Sequence, residues 1–274
     1  MAKLRLSFVT LILCCFLDSP VLAAELVLSA PPRENRAEGE KTFAPLASYL
    51  SELLGQPVVY RQPESWAAYT LALRNGEYDF VFDGPHFAAW RMVHLQHQPL
   101  VKLPGTLKFV VVSAAADKQF SKLADLRSGS LCAMASPNLA TNAVLAEFGP
   151  VASPDIVVAE GGFESIVKAY QAGSCNGMVL SESFFVKMPE QGRAELKVIY
   201  TSPAYSNQTL TASPRVPADQ LRKLAAGLVS EQGTLVCSEL IRRYAGKRDS
   251  GLVLATADEY KGNNRLLEGV VWGW

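Results

Sequence analysis

Short apolar runs of strand length alternate with amphipathic stretches of helical length along most of this chain. Residues 78–90, YDFVFDGPHFAAW, contain one such junction. An aromatic, β-branched run stops at Asp83-Gly84, and Pro85 suits the first turn of a helix because its missing N–H is not needed there. The carboxyl ends of strands in α/β sheets are common ligand sites. We therefore expect this junction to face a binding cleft.

The alternation occurs in two similar blocks. The first predicts strands at 25–30, 57–60 and 78–82 and helices at 41–54, 64–75 and 85–95. After a crossover strand at 107–114, the second predicts strands at 130–135, 155–160, 175–181 and 196–202, with helices at 138–148, 163–172 and 182–187. The remainder predicts helices at 218–231, 234–244 and 258–267. This order is typical of an α/β protein with mainly parallel, covered sheets.

Two blocks with a crossover and a return stretch predict two lobes. We assign 24–108 and 206–274 to lobe 1 and 109–205 to lobe 2, with a ligand cleft between them that closes by hinge motion.

The first two dozen residues predict export to the periplasm. Lys3 and Arg5 precede an apolar run at 6–17, and small residues before Ala24 suit cleavage, so 1–23 reads as a signal peptide. The alternative is an uncleaved anchor. The chain has 26 basic and 26 acidic residues, a balance that gives no support for nucleic-acid binding.

Three cysteines lie outside the signal peptide: Cys132, Cys175 and Cys237. Cys132 and Cys175 fall in predicted strands and an oxidising compartment would allow them to pair. The alternative is three buried thiols.

Four segments together resemble a known family. They are the opening LVLSAPPRENRAEGEKTFAPLASYLSELLGQPV, the junction YDFVFDGPHFAAW, the turn ASPNLATNAVLAEF and the stretch YQAGSCNGMVLSESFF. In order and spacing they are similar to the phosphate/phosphite/phosphonate-binding (PhnD-like) solute-binding proteins of ABC transporters. The resemblance implies a type II periplasmic binding protein fold, with two lobes that are each a mostly parallel sheet flanked by helices.

The resemblance also implies a function. The protein would capture a small polar or anionic solute of the phosphonate type between its lobes and deliver it to an ABC permease. The alternative is a periplasmic sensor that presents its ligand state to a membrane histidine kinase. An enzyme is less favoured, since neither GxSxG nor a Cys/His pair occurs. We expect a monomer without cofactor or metal.

Helix N-termini attract anions, and the strand-to-helix turns supply polar side chains beside them. The candidates at these turns are Asp83, Gly84, Pro85, His86, Ser136, Asn138, Thr141, Asn142, Glu160, Ser181 and Glu182. For serine and asparagine the alternative is ordinary N-capping. The resembled family places a Ser-Thr or Ser-Ser pair at the second-lobe turn, where this chain has Leu139-Ala140.

The carboxylates of Asp83, Glu160 and Glu182 around one cleft would suit a ligand with an amine or many hydroxyls. The alternative is that they face solvent or pair with Arg33 or Arg91.

Aromatic and imidazole side chains complete the candidate site. Trp66, Tyr69 and Tyr205 are candidates for stacking on the ligand or hydrogen bonding to it, with packing as the alternative. His86 follows Gly84-Pro85 and is the histidine best placed for a ligand contact. His94 and His97 stand three residues apart, a spacing at which they could share a metal, but an exposed helix end is the favoured interpretation.

Overall fold

The structure is a computed structural model, and it describes residues 25–149, 152–245, 250–271 and 274. The predicted signal peptide, 1–23, lies outside the described residues. Within the described part of the chain, no helix is both long and apolar enough to span a bilayer.

Thirteen strands are described. They are β1 Leu26–Ser29, β2 Val58–Tyr60, β3 Phe80–Asp83, β4 Gln98–Lys102, β5 Thr106–Leu107, β6 Phe109–Ala114, β7 Ser130–Ala133, β8 Asp155–Val158, β9 Gly177–Ser181, β10 Leu196–Thr201, β11 Tyr205–Ser206, β12 Thr209–Ala212 and β13 Val253–Leu254.

The described α-helices number eleven, with 3-10 turns at Leu123–Ser128 and Ala257–Tyr260. They are α1 Arg36–Leu54, α2 Trp66–Arg74, α3 Pro85–His94, α4 Leu139–Leu145, α5 Phe163–Gln171, α6 Glu182–Lys187, α7 Glu190–Ala194, α8 Ala218–Leu228, α9 Glu231–Val236, α10 Ser238–Ala245 and α11 Arg265–Glu268.

The strands form two main sheets, which confirms the predicted two-lobed α/β fold. The first has the order β13-β4-β12-β3-β1-β2 and the second the order β10-β6-β9-β7-β8. Four of the six strands in the first sheet and four of the five in the second run in the same direction, in agreement with the predicted mostly parallel sheets. β1 pairs in parallel with β2 and β3, and β7 with β8 and β9, whereas β12 and β6 insert antiparallel. β6 and β12 are each the first strand of a main sheet after the chain crosses between the sheets.

The two chain segments that cross between the sheets pair with each other. β5 precedes β6, β11 precedes β12, and the two short strands form an antiparallel ladder in which Tyr205 faces Leu107. The first sheet draws its strands from 26–102 and 209–254 and the second from 109–201. The lobe boundaries at 108 and 206 stay a prediction, and this ladder is the segment we expect to act as the hinge.

The boundaries of α1 show how local capping sets an element. Asn35 accepts a hydrogen bond from the Glu38 N–H, and Gly55 ends the helix at a φ of 69°, which glycine adopts without strain. The helix therefore begins at Arg36, whereas the sequence pattern predicted Lys41. The first turn has little apolar periodicity, so the cap marks the start.

Several elements were not predicted. β4, β12 and β13 lie in stretches read as connections, and α7 was not expected. The helices predicted at 218–231 and 234–244 are three helices, because Ser230 caps a new one by accepting from the Gly233 N–H.

Each sheet packs its own apolar clusters, and the C-terminal segment reaches both. Leu266 belongs to a cluster under the second sheet with Phe109 and Val179, while Leu267 belongs to one under the first sheet with Phe87. We call residues 256–269 the C-terminal strap. Although the strap was assigned to lobe 1 from the sequence, it contacts α3 of the first block and α4 of the second.

A disulfide crosses the second sheet. Cys132 on β7 bonds Cys175 just before the neighbouring β9, with Cα atoms 5.7 Å apart. Of the two alternatives left open by the sequence, the disulfide is therefore confirmed. Cys237 is a free, buried thiol, and burial raises its pKa to about 12.

Candidate functional site

The junction between β3 and α3 forms as the sequence predicts. Asp83 is the last residue of β3, Gly84 caps α3 without a side-chain hydrogen bond, and Pro85 occupies the first turn. Asp83 does not face a ligand space. Its carboxylate is fully buried and takes two hydrogen bonds from Arg91, with Oδ2 2.6 Å from Nη1 and Oδ1 2.8 Å from Nη2. Pairing with Arg91, one of the alternatives given above, is the arrangement that the structure has.

The pair belongs to a larger buried network. Tyr69 donates from its hydroxyl to Asp83, and Arg91 Nη2 donates to Thr211 on β12 over 3.0 Å. Burial first, and then the charge of Asp83, raise the pKa of Tyr69 well above its ordinary value. Burial opposes the charge of Arg91, but Asp83 outweighs it and raises the guanidinium pKa. Asp83, which also accepts from Tyr69, therefore holds α3 in place through Arg91 in the last turn of the helix.

His86, in the first turn of α3, contacts the second block. Its Nε2 lies 2.9 Å from the backbone oxygen of Pro137. A carbonyl only accepts, so Nε2 carries the proton and Nδ1 is an acceptor. Nδ1 is buried and has no hydrogen-bond partner among the described residues. Burial lowers the pKa of His86 to about 4, against the opposing effect of the Pro137 carbonyl, so the ring is neutral at pH 7.

The turn before α4 and the first residues of that helix lie on the side of Pro137, and their polar side chains bond within the protein. Ser136 donates to Asn142 Oδ1 at 2.9 Å, and Asn142 Nδ2 donates to the Leu266 carbonyl of the strap at 2.9 Å. Thr141 donates to the Met134 carbonyl, and Asn138 caps α4 by accepting from the Ala140 N–H. Capping, the alternative reading for Asn138, is thus what its side chain does.

The other predicted residues lie elsewhere. Glu160 is exposed after β8, Glu182 is partly exposed at the start of α6, and Ser181 caps that helix by accepting from the Phe184 N–H. Tyr205 lies on the hinge ladder with its ring 6.3 Å from that of Phe109. No hydrogen bond or ion pair between described residues links these four to the His86–Pro137 contact.

Trp66 lies on the first-block side, near His86. It opens α2, is 37% exposed, and stacks on Phe87 with ring centroids 6.3 Å apart. The Phe87 ring also lies 4.4 Å from the His86 ring. Trp66 and Phe87 thus form an aromatic surface beside His86.

The two remaining histidines have separate partners. His94 Nε2 lies 2.5 Å from Glu268 of the strap, and His97 is buried against the Thr211 hydroxyl. Among the described residues, no three His, Cys, Asp or Glu side chains are grouped to hold a metal ion.

The loop after β1 supplies a group that the sequence reasoning named only as a partner for carboxylates. Arg33 donates from Nη1 to Gln208 Oε1 at 2.8 Å, and its guanidinium lies 5.7 Å from the centre of the Tyr244 ring. Its neighbour Glu34 accepts from the Tyr244 hydroxyl at 2.5 Å and from Arg243 at 3.2 Å. The signal that could have found Arg33 is its position at the carboxyl end of β1, beside β3 in the sheet.

A cavity of about 270 Å³ lies further along α3. It is bounded by Ala89, Met92 and Val93 of the helix and by the strap, with Tyr260, Lys261 and Asn264 among the lining residues. It contains none of the predicted site residues.

The family comparison agrees with this architecture. Residues 28–260 match the family described as "ABC transporter, phosphonate, periplasmic substrate-binding protein".

Solved structures with the same fold include three relevant ones. A Xanthomonas citri protein bound to ATP has a TM-score of 0.69 at 12% identity, covering 90% of this chain and 97% of its own. PhnD1 from Prochlorococcus marinus in complex with methylphosphonate has a TM-score of 0.61 at 13% identity, with 88% and 96% covered. A binding protein component of an ABC phosphonate transporter from Pseudomonas aeruginosa has a TM-score of 0.58 at 14% identity, with 88% and 85% covered.

These likenesses confirm the fold, and the match over residues 28–260 includes β3, α3 and the facing turn before α4. The chain therefore belongs to the family of periplasmic substrate-binding proteins of ABC phosphonate transporters.

Proposed function

We propose that this protein captures a small oxyanion of the phosphonate type between its two blocks and delivers it to an ABC permease. The ligand would contact the start of α3 on one side and the Ser136-Pro137 turn on the other. A ligand that touches both walls favours the closed arrangement by its differential affinity for that state.

The observation that carries the proposal is the hydrogen bond between His86 and Pro137. These residues lie 51 positions apart and belong to elements that flank different sheets. Their contact at 2.9 Å supports the view that the two predicted walls meet across one cleft. Solute-binding proteins need such a pair of walls to enclose a ligand.

The chemistry at the start of α3 supports an oxyanion. The helix has ten residues, and its N-terminus lacks a side-chain cap, so first-turn N–H groups and the positive end of the helix dipole are available there. His86 Nδ1 adds a buried acceptor that has no hydrogen-bond partner in the part of the chain that the structure describes. A hydrogen phosphonate has oxygens for the N–H groups and one O–H donor that an imidazole acceptor can use.

Isothermal titration of the exported chain, residues 24–274, with methylphosphonate, phosphate and phosphite tests this function. His86→Ala should weaken binding of the wild-type ligand about 10-fold or more, the range for one lost hydrogen bond to a charged group. His94→Ala is the matched control, since His94 sits at the other end of the same helix and pairs with Glu268. Equal affinity of wild type and His86→Ala would contradict the proposed site.

Delivery to a permease is tested in cells. Deleting the gene should abolish uptake of the ligand identified by titration, and restoring the wild-type chain but not His86→Ala should recover it. A sensor would instead leave uptake unchanged and alter transcription in response to the ligand.

A further inference from the structure

The charges at the carboxyl ends of β1 and β3 do not balance. Asp83 at the end of β3 is neutralised by Arg91, with the carboxylate and guanidinium both buried. Glu34 after β1 has a side chain that is 3% exposed and pairs with Arg243 at 3.2 Å. Arg33, the residue before Glu34, has no carboxylate within 4.0 Å among the described residues.

Arg33 is held in place by uncharged groups. Gln208, close to the hinge ladder, accepts its Nη1 hydrogen bond at 2.8 Å, and the face of Tyr244 lies under its guanidinium. The Tyr244 ring in turn packs 5.7 Å from Phe82, the residue before Asp83. Gln208 precedes Thr209, the β12 partner of Asp83, so these contacts place Arg33 near the carboxyl end of β3.

The electrostatics agree with this placement. The charge of Arg33 contributes to lowering the pKa of His86, and it acts on Tyr69 in the same direction. An exposed guanidinium held by Gln208 and Tyr244 presents a fork of N–H donors that matches the oxygens of phosphonate, phosphate or carboxylate.

We infer that Arg33 is the specificity-determining cation of the ligand site, forming an ion pair with an anionic ligand and disfavouring one whose nearest group is an amine. This inference rests on the proposed function, since it assigns a residue of the same cleft. It also revises the expectation that carboxylates around the cleft would select a cationic partner, because Asp83 is neutralised and no contact places Glu160 or Glu182 beside His86.

Titration of methylphosphonate, inorganic phosphate and putrescine into the wild type and three variants tests the inference. Arg33→Gln should lose methylphosphonate affinity by about 10- to 100-fold, the range for a charge-assisted hydrogen bond. Arg33→Lys keeps the charge but not the fork, and should lose less. Gln208→Ala removes the partner that holds Arg33 while leaving the cation, so its loss should be the smallest.

The outcomes separate the two proposals. Methylphosphonate bound equally by wild type and Arg33→Gln overturns the inference and leaves the proposed function standing. Equal losses in Gln208→Ala and Arg33→Gln, with no rescue by Arg33→Lys, also overturn it, because a structural role would explain them. A wild type that binds putrescine and neither anion, or none of the three probes, removes the proposed function and the inference together. Circular dichroism of each variant checks that it is folded.

Discussion

Replacing Arg91 with methionine should destabilise the protein more than most single substitutions. Methionine keeps much of the arginine volume but removes both hydrogen bonds to Asp83, at 2.6 and 2.8 Å, and both bonds to Thr211, at 3.0 and 3.2 Å. The Asp83 carboxylate, which is 0% exposed, would keep only the Tyr69 hydroxyl. Leaving one buried charge without its partner costs about 3–5 kcal/mol.

Such a loss is large against the total stability of a domain, about 5–15 kcal/mol. It corresponds to a fall of about 6–20 °C in the Tm of a chain of this length. Urea unfolding followed by tryptophan fluorescence is a suitable assay, because Trp90 lies in α3 and Trp66 and Trp274 both contact Phe87 of that helix. A change in tryptophan fluorescence therefore reports on the region around α3, which Arg91 holds in place.

Two variants control the experiment. Arg222→Met on the exposed face of α8 should change the free energy of unfolding by less than about 0.5 kcal/mol. Asp83→Asn combined with Arg91→Met removes both charges, so it should lose less than Arg91→Met alone. A loss below about 1 kcal/mol for Arg91→Met, or a double-variant loss equal to the sum of the single losses, would refute the buried pair as the anchor of α3.

Three further predictions concern pH, the disulfide and the strap. Burial lowers the pKa of His86 to about 4 and that of His97 to about 2, whereas an unfolded histidine titrates near 6.5, so stability should fall as the pH drops below about 6.5. Between about pH 7.5 and pH 4.5, the free energy of unfolding of His86→Gln should fall by about 2–3 kcal/mol less than that of wild type in urea unfolding, and equal falls would contradict the assignment. Cys132→Ala with Cys175→Ala removes a cross-link of sequence separation 43 and should cost about 4 kcal/mol, measured against wild type with and without reductant. Reductant should not destabilise that double variant further. Asn142→Ala leaves the Leu266 carbonyl without its donor and should cost about 1–3 kcal/mol, whereas an unchanged urea midpoint would show that water replaces the bond.

Local patterns predicted the parts of the fold that local chemistry controls. The run YDFVF and the following Pro85 predicted the end of β3 and the start of α3, because turn residues and a proline at the first helical turn act within a few positions. The alternation of strands and helices predicted the two α/β blocks for the same reason. The start of α1 at Arg36 was missed because its first turn has no apolar face, although Asn35 offered a cap.

The sequence also placed polar residues at strand ends, but it could not assign partners to them. Asp83 and Arg91 are eight residues apart on different elements, and the sequence analysis took Asp83 as a ligand-binding residue with ion pairing as the alternative. The structure decides for pairing, since a fully buried carboxylate needs a counter-charge. The sequence likewise left open whether Cys132 and Cys175 pair. The structure decides for the disulfide, because β7 and β9 are neighbours in the second sheet.

Residues distant in sequence determine the remaining features. β12 inserts antiparallel between β3 and β4 although Thr209–Ala212 is too short to signal a central strand, because its pairing depends on strands more than a hundred residues earlier. Leu266 and Leu267 are adjacent yet pack under different sheets. By itself the sequence determined the elements whose ends carry local signals, such as the junction of β3 and α3 at Gly84-Pro85. Tertiary structure alone decided which charges remain uncompensated, because compensation depends on distances that only the folded chain sets.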